Sequence, residues 1–171
     1  PVTYGVLALR VEAMAHGLVA LGLQPGERLA LWLPKSAAGV MAAFGTSLAG
    51  GVFVPVHPGA KSAQVAHVLR DAGAAVLVTS SARLAQLSPS LAALPQLRTV
   101  LLVDDPPPEL LALSDGPSIL PLDSVESLRA GDLPVVKADS LAALFYTSGS
   151  TGHPDRKSTR LNSSHSSVSR M

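Results

Sequence analysis

The chain has 171 residues, of which 47% are hydrophobic and 15% charged, a composition that predicts one globular domain and excludes a disordered polypeptide. The formal net charge is +1, so there is no electrostatic reason to expect binding to nucleic acid. Cysteine is absent, which excludes disulfides and thiolate metal sites and fits a cytoplasmic location.

Helical and extended patterns alternate along the first half of the chain. Apolar residues recur at helical spacing from Tyr4 to Leu21, and Pro25-Gly26 follows them. The elements predicted here are a helix over 4–21, a strand over 28–33, a helix after Ser36, a strand over 52–56, a helix over 62–72 and a strand over 75–79. Pro55 lies inside one of these strands, which predicts a position near a sheet edge or a bulge.

The same alternation continues in the second half. Its predicted elements are a helix over 81–94 that Pro89 kinks or splits, a strand over 99–103, a loop over 104–108, a short helix over 123–130 and a strand over 141–146. Strands that alternate with helices of this length predict an α/β fold with a mostly parallel sheet. Ligands of such sheets bind beyond the carboxyl ends of the strands, which directs attention to the residues after Tyr146.

One stretch, Ser36–Ala60, contains no charged residue. A membrane span needs about 20 continuous apolar residues, and here glycines, hydroxyl residues and Pro55 interrupt the run. The sequence therefore favours a helix, a Gly-Gly turn and a strand, and we expect no membrane association.

The other polar residues do not form a recognisable site. His16, His57 and His67 are dispersed without metal-ligand spacing, so no metal is assigned to protein side chains. Trp32 lies in an apolar strand and is predicted to be a core residue.

A short segment rich in hydroxyls and glycine follows the last predicted strand. Its residues are Thr147, Ser148, Gly149, Ser150, Thr151 and Gly152. Glycines allow backbone N–H groups to approach an anion, and hydroxyls add short donors, so the segment suits polyphosphate. It has neither the G-x-x-x-x-G-K-[ST] spacing nor the G-x-G-x-x-G spacing. On composition alone, a flexible Ser/Gly linker is the alternative.

The string Tyr146–Pro154 resembles the signature phosphate loop of the adenylate-forming, or AMP-forming, ligase superfamily, whose pattern is an aromatic residue followed by T-S-G-S/T-T-G-x-P-K. Thr3–Leu7 resembles the entry motif T-Y-x-E-L, with valine in place of the acid. Leu48–Pro55 resembles the second motif, L-x-A-G-x-x-x-V-P, shortened by one residue. Gly22–Leu31 resembles the link G-V-x-P-G-D-x-V-A. The chain is therefore identified as a partial N-terminal AMP-binding domain over residues 3–154.

This resemblance implies a two-step reaction. A carboxylate attacks the α-phosphate of Mg-ATP to give an acyl-adenylate and pyrophosphate, and a thiol of coenzyme A or of a carrier-protein pantetheine then takes the acyl group. The residues that would hold the β- and γ-phosphates are Thr147, Ser148, Gly149, Ser150, Thr151 and Gly152. The expected cofactors are ATP and Mg²⁺, with CoA as acceptor. Tyr146 is expected to be a core aromatic at the end of the supporting strand.

The sequence departs from the family pattern after the loop. Family members carry Lys and Gly after the proline, whereas Pro154 is followed by Asp155-Arg156, and Lys157 stands too late to take the role of that lysine. Asp155–His165 can be back-translated into the ligated adapter of short-read DNA sequencing. Residues 155–171 are therefore expected to be a non-native, disordered tail, and the chain to be an inactive fragment. A natural basic, Ser-rich tail is the alternative.

The identity of the acceptor thiol is inferred from a motif that the sequence lacks. Amino-acid adenylation domains usually show D-P-x-Y-P after the second motif, and Val56–Lys61 lacks that Tyr-Pro. An acyl-CoA synthetase is therefore the first interpretation. An adenylation domain that loads a carrier protein and a noncatalytic nucleotide-binding module are the alternatives.

Overall fold

A computed structural model describes residues 3–111, 116–129, 131–148 and 154–160. Helices and strands alternate along these residues, as predicted. The helices are α1 (Tyr4–Ala20), α2 (Ala37–Leu48), α3 (Ser62–Ala72), α4 (Ser81–Leu87), α5 (Pro108–Leu111) and α6 (Leu122–Val125), with a 3₁₀ helix over Ser88–Ala93. The strands are β1 (Arg28–Leu31), β2 (Val52–Pro55), β3 (Ala74–Thr79), β4 (Thr99–Leu102), β5 (Ser118–Pro121), β6 (Leu141–Ser148) and β7 (Pro154–Arg160).

The strands form one sheet in the order β5-β4-β3-β1-β2-β6-β7. The pairs from β5 to β6 are parallel, and β7 pairs antiparallel with β6. Leu29 of β1 lies level with Phe53 of β2 on one side and Val76 of β3 on the other. The predicted α/β fold with a mostly parallel sheet is confirmed.

Helices cover both faces of the sheet. On one face, Leu69 of α3 and Leu84 of α4 pack in the same buried cluster as Leu77 of β3. On the other face, Met14 of α1 and Val125 of α6 pack with the strand residues on either side of Leu77. Successive strand residues point to opposite faces, so β3 is buried along its whole length and reads as a continuous apolar run.

Two glycines allow the helices on the second face to lie close together. A Cβ atom on Gly45 of α2 would lie 2.6 Å from Cγ of Met14, inside van der Waals contact. A Cβ atom on Gly17 of α1 would meet the backbone carbonyl of Val125 in α6. The short distances from α1 to α2 and to α6 therefore depend on the absence of a side chain at Gly17 and Gly45.

The edge position predicted from Pro55 is wrong, because β2 lies between β1 and β6. The N–H groups of Val52 and Val56 donate to carbonyls of the β1 segment at 2.8 Å, so the nitrogen of Pro55 faces β6. Pro55 ends its strand, beyond the position where Phe53 pairs with Ala143. The proline therefore interrupts no hydrogen bond of the β1–β2 ladder.

Two other elements differ from the predicted ones. The strand β5 was not predicted, although it pairs with β4 along its whole length. The short helix expected over 123–130 is only the four residues of α6. The helix expected over 81–94 is split next to Pro89, as predicted, into α4 and the 3₁₀ helix.

The uncharged run Ser36–Ala60 forms α2, the Gly50-Gly51 turn and β2, as predicted. No helix within the described ranges is long and apolar enough to cross a membrane.

The tail differs in part from the disorder expected over residues 155–171. Residues 154–160 form β7, in a register that places Pro154 opposite Ser148 and Arg160 opposite Leu141. Residues 161–171 lie outside the described part of the chain.

Candidate functional site

The strand β6 carries the start of the predicted phosphate-binding segment to the carboxyl edge of the sheet. Thr147 and Ser148 are its last two residues. Because β6 runs parallel to β2, its carboxyl end lies at the same edge as those of the other parallel strands. The remaining predicted site residues, Gly149, Ser150, Thr151 and Gly152, lie outside the described residues.

Contacts on both faces of the sheet anchor β6. Leu144 is buried in the cluster under α3. On the opposite face, the ring of Phe145 meets Phe53 of β2 edge to face, with centroids 6.3 Å apart. The phenol of Tyr146 donates a 2.6 Å hydrogen bond to the carboxylate of Asp71, and its ring packs against the core. Tyr146 is thus a partly buried anchor, as predicted, although the strand continues past it to Ser148.

The neighbouring strand ends are joined by one side chain that carries no sequence motif. Arg83 of α4 donates from its two terminal nitrogens to the carbonyls of Trp32 and Pro58, each at 3.0 Å. Its guanidinium carbon also lies 5.3 Å from the ring centroid of Trp32, within the range of a cation–π contact. Trp32 itself is almost fully buried, as predicted.

Basic residues follow the strands closest to β6. Lys35 comes after β1, Lys61 comes after β2, and Arg83 lies in the helix after β3. The acid Asp104 follows β4, further from β6 in the sheet, and it accepts hydrogen bonds from the backbone and hydroxyl of Ser81 at 2.8 and 2.9 Å. Positive charge therefore follows the strands on one side of β6, whereas β7 on its other side places Asp155 opposite Thr147.

Among the residues with described side chains, those whose pKa values are shifted lie away from the candidate site. At the amino edge of the sheet, hydrogen bonds from Arg98 hold the pKa of Glu27 below its usual value, against the opposing effect of burial. Between α1 and α6, a hydrogen bond with Glu126 raises the pKa of Arg10, which also pairs with Asp123. These ion pairs connect elements of the fold and do not contribute to the candidate site.

Among the residues that the structure describes, no three His, Asp or Glu side chains come close enough together to hold a metal ion. His57 is exposed in the loop after β2, where its Nδ1 accepts a 3.1 Å hydrogen bond from the N–H of Gly59.

Residues 1–155 match the family model described as "AMP-binding enzyme". The chain is 38% identical over 158 residues to an L-proline--[L-prolyl-carrier protein] ligase of Streptomyces coelicolor, which covers 90% of the chain and 29% of the relative. It is 36% identical over 152 residues to a feruloyl-CoA synthase of an Amycolatopsis species, which covers 89% of the chain and 27% of the relative.

Solved structures share the fold. The adenylation domain of a carboxylate reductase from Mycobacterium chelonae superposes with a TM-score of 0.81 at 25% identity, over 94% of the chain and 28% of the other protein. The anthranilate CoA ligase AuaEII, solved in complex with anthranoyl-AMP, gives a TM-score of 0.82 at 22% identity. The chain thus spans less than a third of the length of these relatives.

Proposed function

Because the chain belongs to the AMP-binding enzyme family, we propose that it supplies the pyrophosphate-holding part of a ligase that activates a carboxylic acid with ATP. The observation that carries this proposal is the placement of Thr147-Ser148 at the carboxyl end of β6, which runs parallel to β2. That position is where ligands of parallel sheets bind, and the Ser/Thr/Gly segment begins there.

The proposed role of residues 147–152 is to hold the β- and γ-phosphates of ATP. ATP with Mg²⁺ would supply the α-phosphate that the substrate carboxylate attacks, and pyrophosphate would leave. Hydroxyl and backbone N–H donors stabilise the charge that develops on this leaving group without having to reorganise. The basic residues Lys35 and Lys61 at the same edge fit a polyphosphate, whereas the negative charge of Asp155 does not.

Activity is proposed for a whole enzyme, because the chain spans less than a third of the length of its relatives. We assign no catalytic residue within the chain and expect the 171-residue protein alone to form no adenylate.

For the acceptor thiol, we propose coenzyme A. The absence of the Tyr-Pro pair in Val56–Lys61 supports this assignment. A carrier-protein pantetheine is the second candidate, supported by the 38% identity to a prolyl-carrier-protein ligase against 36% to a feruloyl-CoA synthase. Product analysis on the whole enzyme separates the two, since the acyl group ends either on CoA or on a carrier protein.

The proposed function is tested by grafting. Residues 3–154 replace the aligned segment of the Streptomyces coelicolor relative, so that host residues follow Pro154. We expect carboxylate-dependent exchange of pyrophosphate into ATP. Thr151→Ala in the graft should slow this exchange by about tenfold or more, because it removes a donor to the leaving group. A folded graft without exchange activity, or one that is indifferent to Thr151→Ala, would contradict the proposal.

A further inference from the structure

The loop that follows β2 lies beside the strand that leads into the candidate site. Within residues 56–60, the N–H of Val56 donates to the carbonyl of Leu31, and the N–H of Ala60 closes a turn onto the carbonyl of His57, at 2.8 and 2.9 Å. The carbonyl of Pro58, at the exposed tip of this turn, accepts a hydrogen bond from Arg83. Among the side-chain hydrogen bonds of the described residues, the one from Arg83 connects this turn to α4.

The end of β1 is held by hydrogen bonds with β3 as well as with Arg83. The N–H of Trp32 donates to the carbonyl of Val78 at 3.0 Å, and the carbonyl of Trp32 accepts from Thr79 Oγ1 at 3.2 Å as well as from Arg83. One terminal nitrogen of Arg83 therefore binds an end that β3 already holds, and the other reaches the turn after β2. The planar guanidinium carries these donors in a rigid fork, and no other side chain offers that geometry.

From this geometry we propose that Arg83 is a positioning residue. It holds the turn over residues 57–60, which follows β2 beside β6, in a fixed position relative to the end of β1. The sequence places Arg83 in a seven-residue helix without a motif, and the proposed phosphate contacts do not use it. Its link to activity rests on the proposed function, but the contacts themselves do not. Arg83 acts through Pro58 and Trp32, and no contact of its own with a ligand is required.

The test uses the 171-residue protein and two local readouts. Trp32 is the single tryptophan of the chain, so quenching of its fluorescence by acrylamide reports whether its ring is covered. Hydrogen exchange at the Ala60 amide reports whether the turn after β2 stays closed. In Arg83→Gln we expect stronger quenching of Trp32. We also expect the exchange rate of the Ala60 amide to rise by about tenfold or more, because a charge-assisted hydrogen bond is lost.

Arg83→Lys separates positioning from a general effect on folding. Lysine keeps a positive charge near the ring but lacks the rigid fork of two nitrogens that holds both carbonyls at once, so quenching should return toward the wild-type value while exchange at Ala60 stays fast. Arg70→Gln is the matched control, because Arg70 is exposed on α3 and its side chain makes a long, 3.4 Å hydrogen bond to the carbonyl of Ala93. We expect it to change neither readout.

The proposal would be overturned if the Ala60 amide of Arg83→Lys exchanged at the wild-type rate. It would also be overturned if, in both Arg83 variants, exchange became faster by the same factor at Ala60 and at the amides of α1. The second outcome would mean that Arg83 only supports global stability. Neither readout involves a nucleotide, so a failure of the grafting experiment leaves this test intact.

Discussion

Asp155 stands where the family pattern has a lysine, and β7 places it opposite Thr147. We expect Mg-ATP to raise the melting temperature of the chain by less than about 0.5 °C, because weak binding adds little stability to a domain of this size. Asp155→Lys should tighten Mg-ATP binding by about tenfold, since a repulsive charge becomes an attractive one. Calorimetric titration and thermal melts measure both effects.

Asp155→Asn is the control for that substitution, and its affinity should lie between the other two. It removes the repulsion without adding attraction, which separates the two contributions. A shift of several degrees in the wild-type chain would contradict the proposed weakness of its phosphate site. Equal affinities for all three proteins would show that residue 155 lies too far from the phosphates to matter.

The ion pair Glu27–Arg98 should make stability depend on pH. The pKa of Glu27 is held below its usual value of 4.5, mainly by the hydrogen bond from Arg98. A depressed pKa in the folded state stabilises the fold above the unfolded-state pKa, and this contribution is lost as pH falls through the folded-state pKa. Half of the Arg98 side chain is exposed, so the contribution at neutral pH should be only about 0.5–1 kcal/mol.

Urea unfolding of wild-type protein and Glu27→Gln across the acidic range measures this contribution. The variant should be less stable at neutral pH, and the difference should shrink once the pH drops below 4.5. A difference that stays constant with pH would indicate that packing of the side chain matters and its charge does not.

At the residue level, the sequence suggests a chemistry for the candidate site but does not reveal the contacts that support the surrounding strands. The hydroxyls and glycines after Tyr146 predict a phosphate-binding segment because the chemistry of such a segment is local in sequence, and this assignment stays a prediction. Arg83 and the Tyr146–Asp71 bond could not be found in this way, because each joins residues far apart in the chain. Such partners become neighbours only through the order of the strands.

At the scale of elements, two glycines of α1 provide a matched pair. Gly17→Ala places a methyl group against the backbone of Val125, which cannot move without displacing α6. We expect a loss of about 2–3 kcal/mol in the free energy of unfolding. Gly5→Ala, in the same helix with open space around it, should instead be neutral or stabilise by about 0.5 kcal/mol. Urea denaturation of the two variants measures both, and equal effects would mean that helix propensity alone is at work.

Elements with a strong internal pattern were predicted well, and those defined by their neighbours were not. The run Ala74–Thr79 is apolar throughout, as a strand covered on both faces must be. In contrast, β5 is four residues long, ends in proline and is only partly buried, so its pairing with β4 leaves little trace in the sequence. Pro55 was misplaced because proline is excluded only from paired N–H positions, and which positions are paired depends on the ladder.

At the scale of the whole molecule, one helix presents an apolar surface to solvent. Val40, Phe44 and Leu48 repeat at a spacing of four along α2, a helix without charged residues, and are 41%, 57% and 39% exposed. A contiguous apolar surface of this kind promotes association. We therefore expect the purified chain to self-associate as its concentration rises.

Phe44→Glu should weaken that self-association by about tenfold or more, because an exposed charge would have to be desolvated in the contact. Val135→Glu is the control, since Val135 is 94% exposed but lies outside α2. Sedimentation velocity over a range of concentrations compares the variants. A wild-type protein that remains monomeric at every concentration would show that the α2 surface is not adhesive.

The strand order also has a consequence for how the chain folds. The strands β1 to β5 can form one continuous block, but β6 joins on the far side, where Ala143 pairs with the distant Phe53. Closing so long a loop is slow, so β6 and the site it carries should be the last to assemble. Until then, β2 is an open edge that another chain could extend. Pro55 directs its nitrogen toward that edge and offers no donor there, so it should protect the nascent molecule from mispairing.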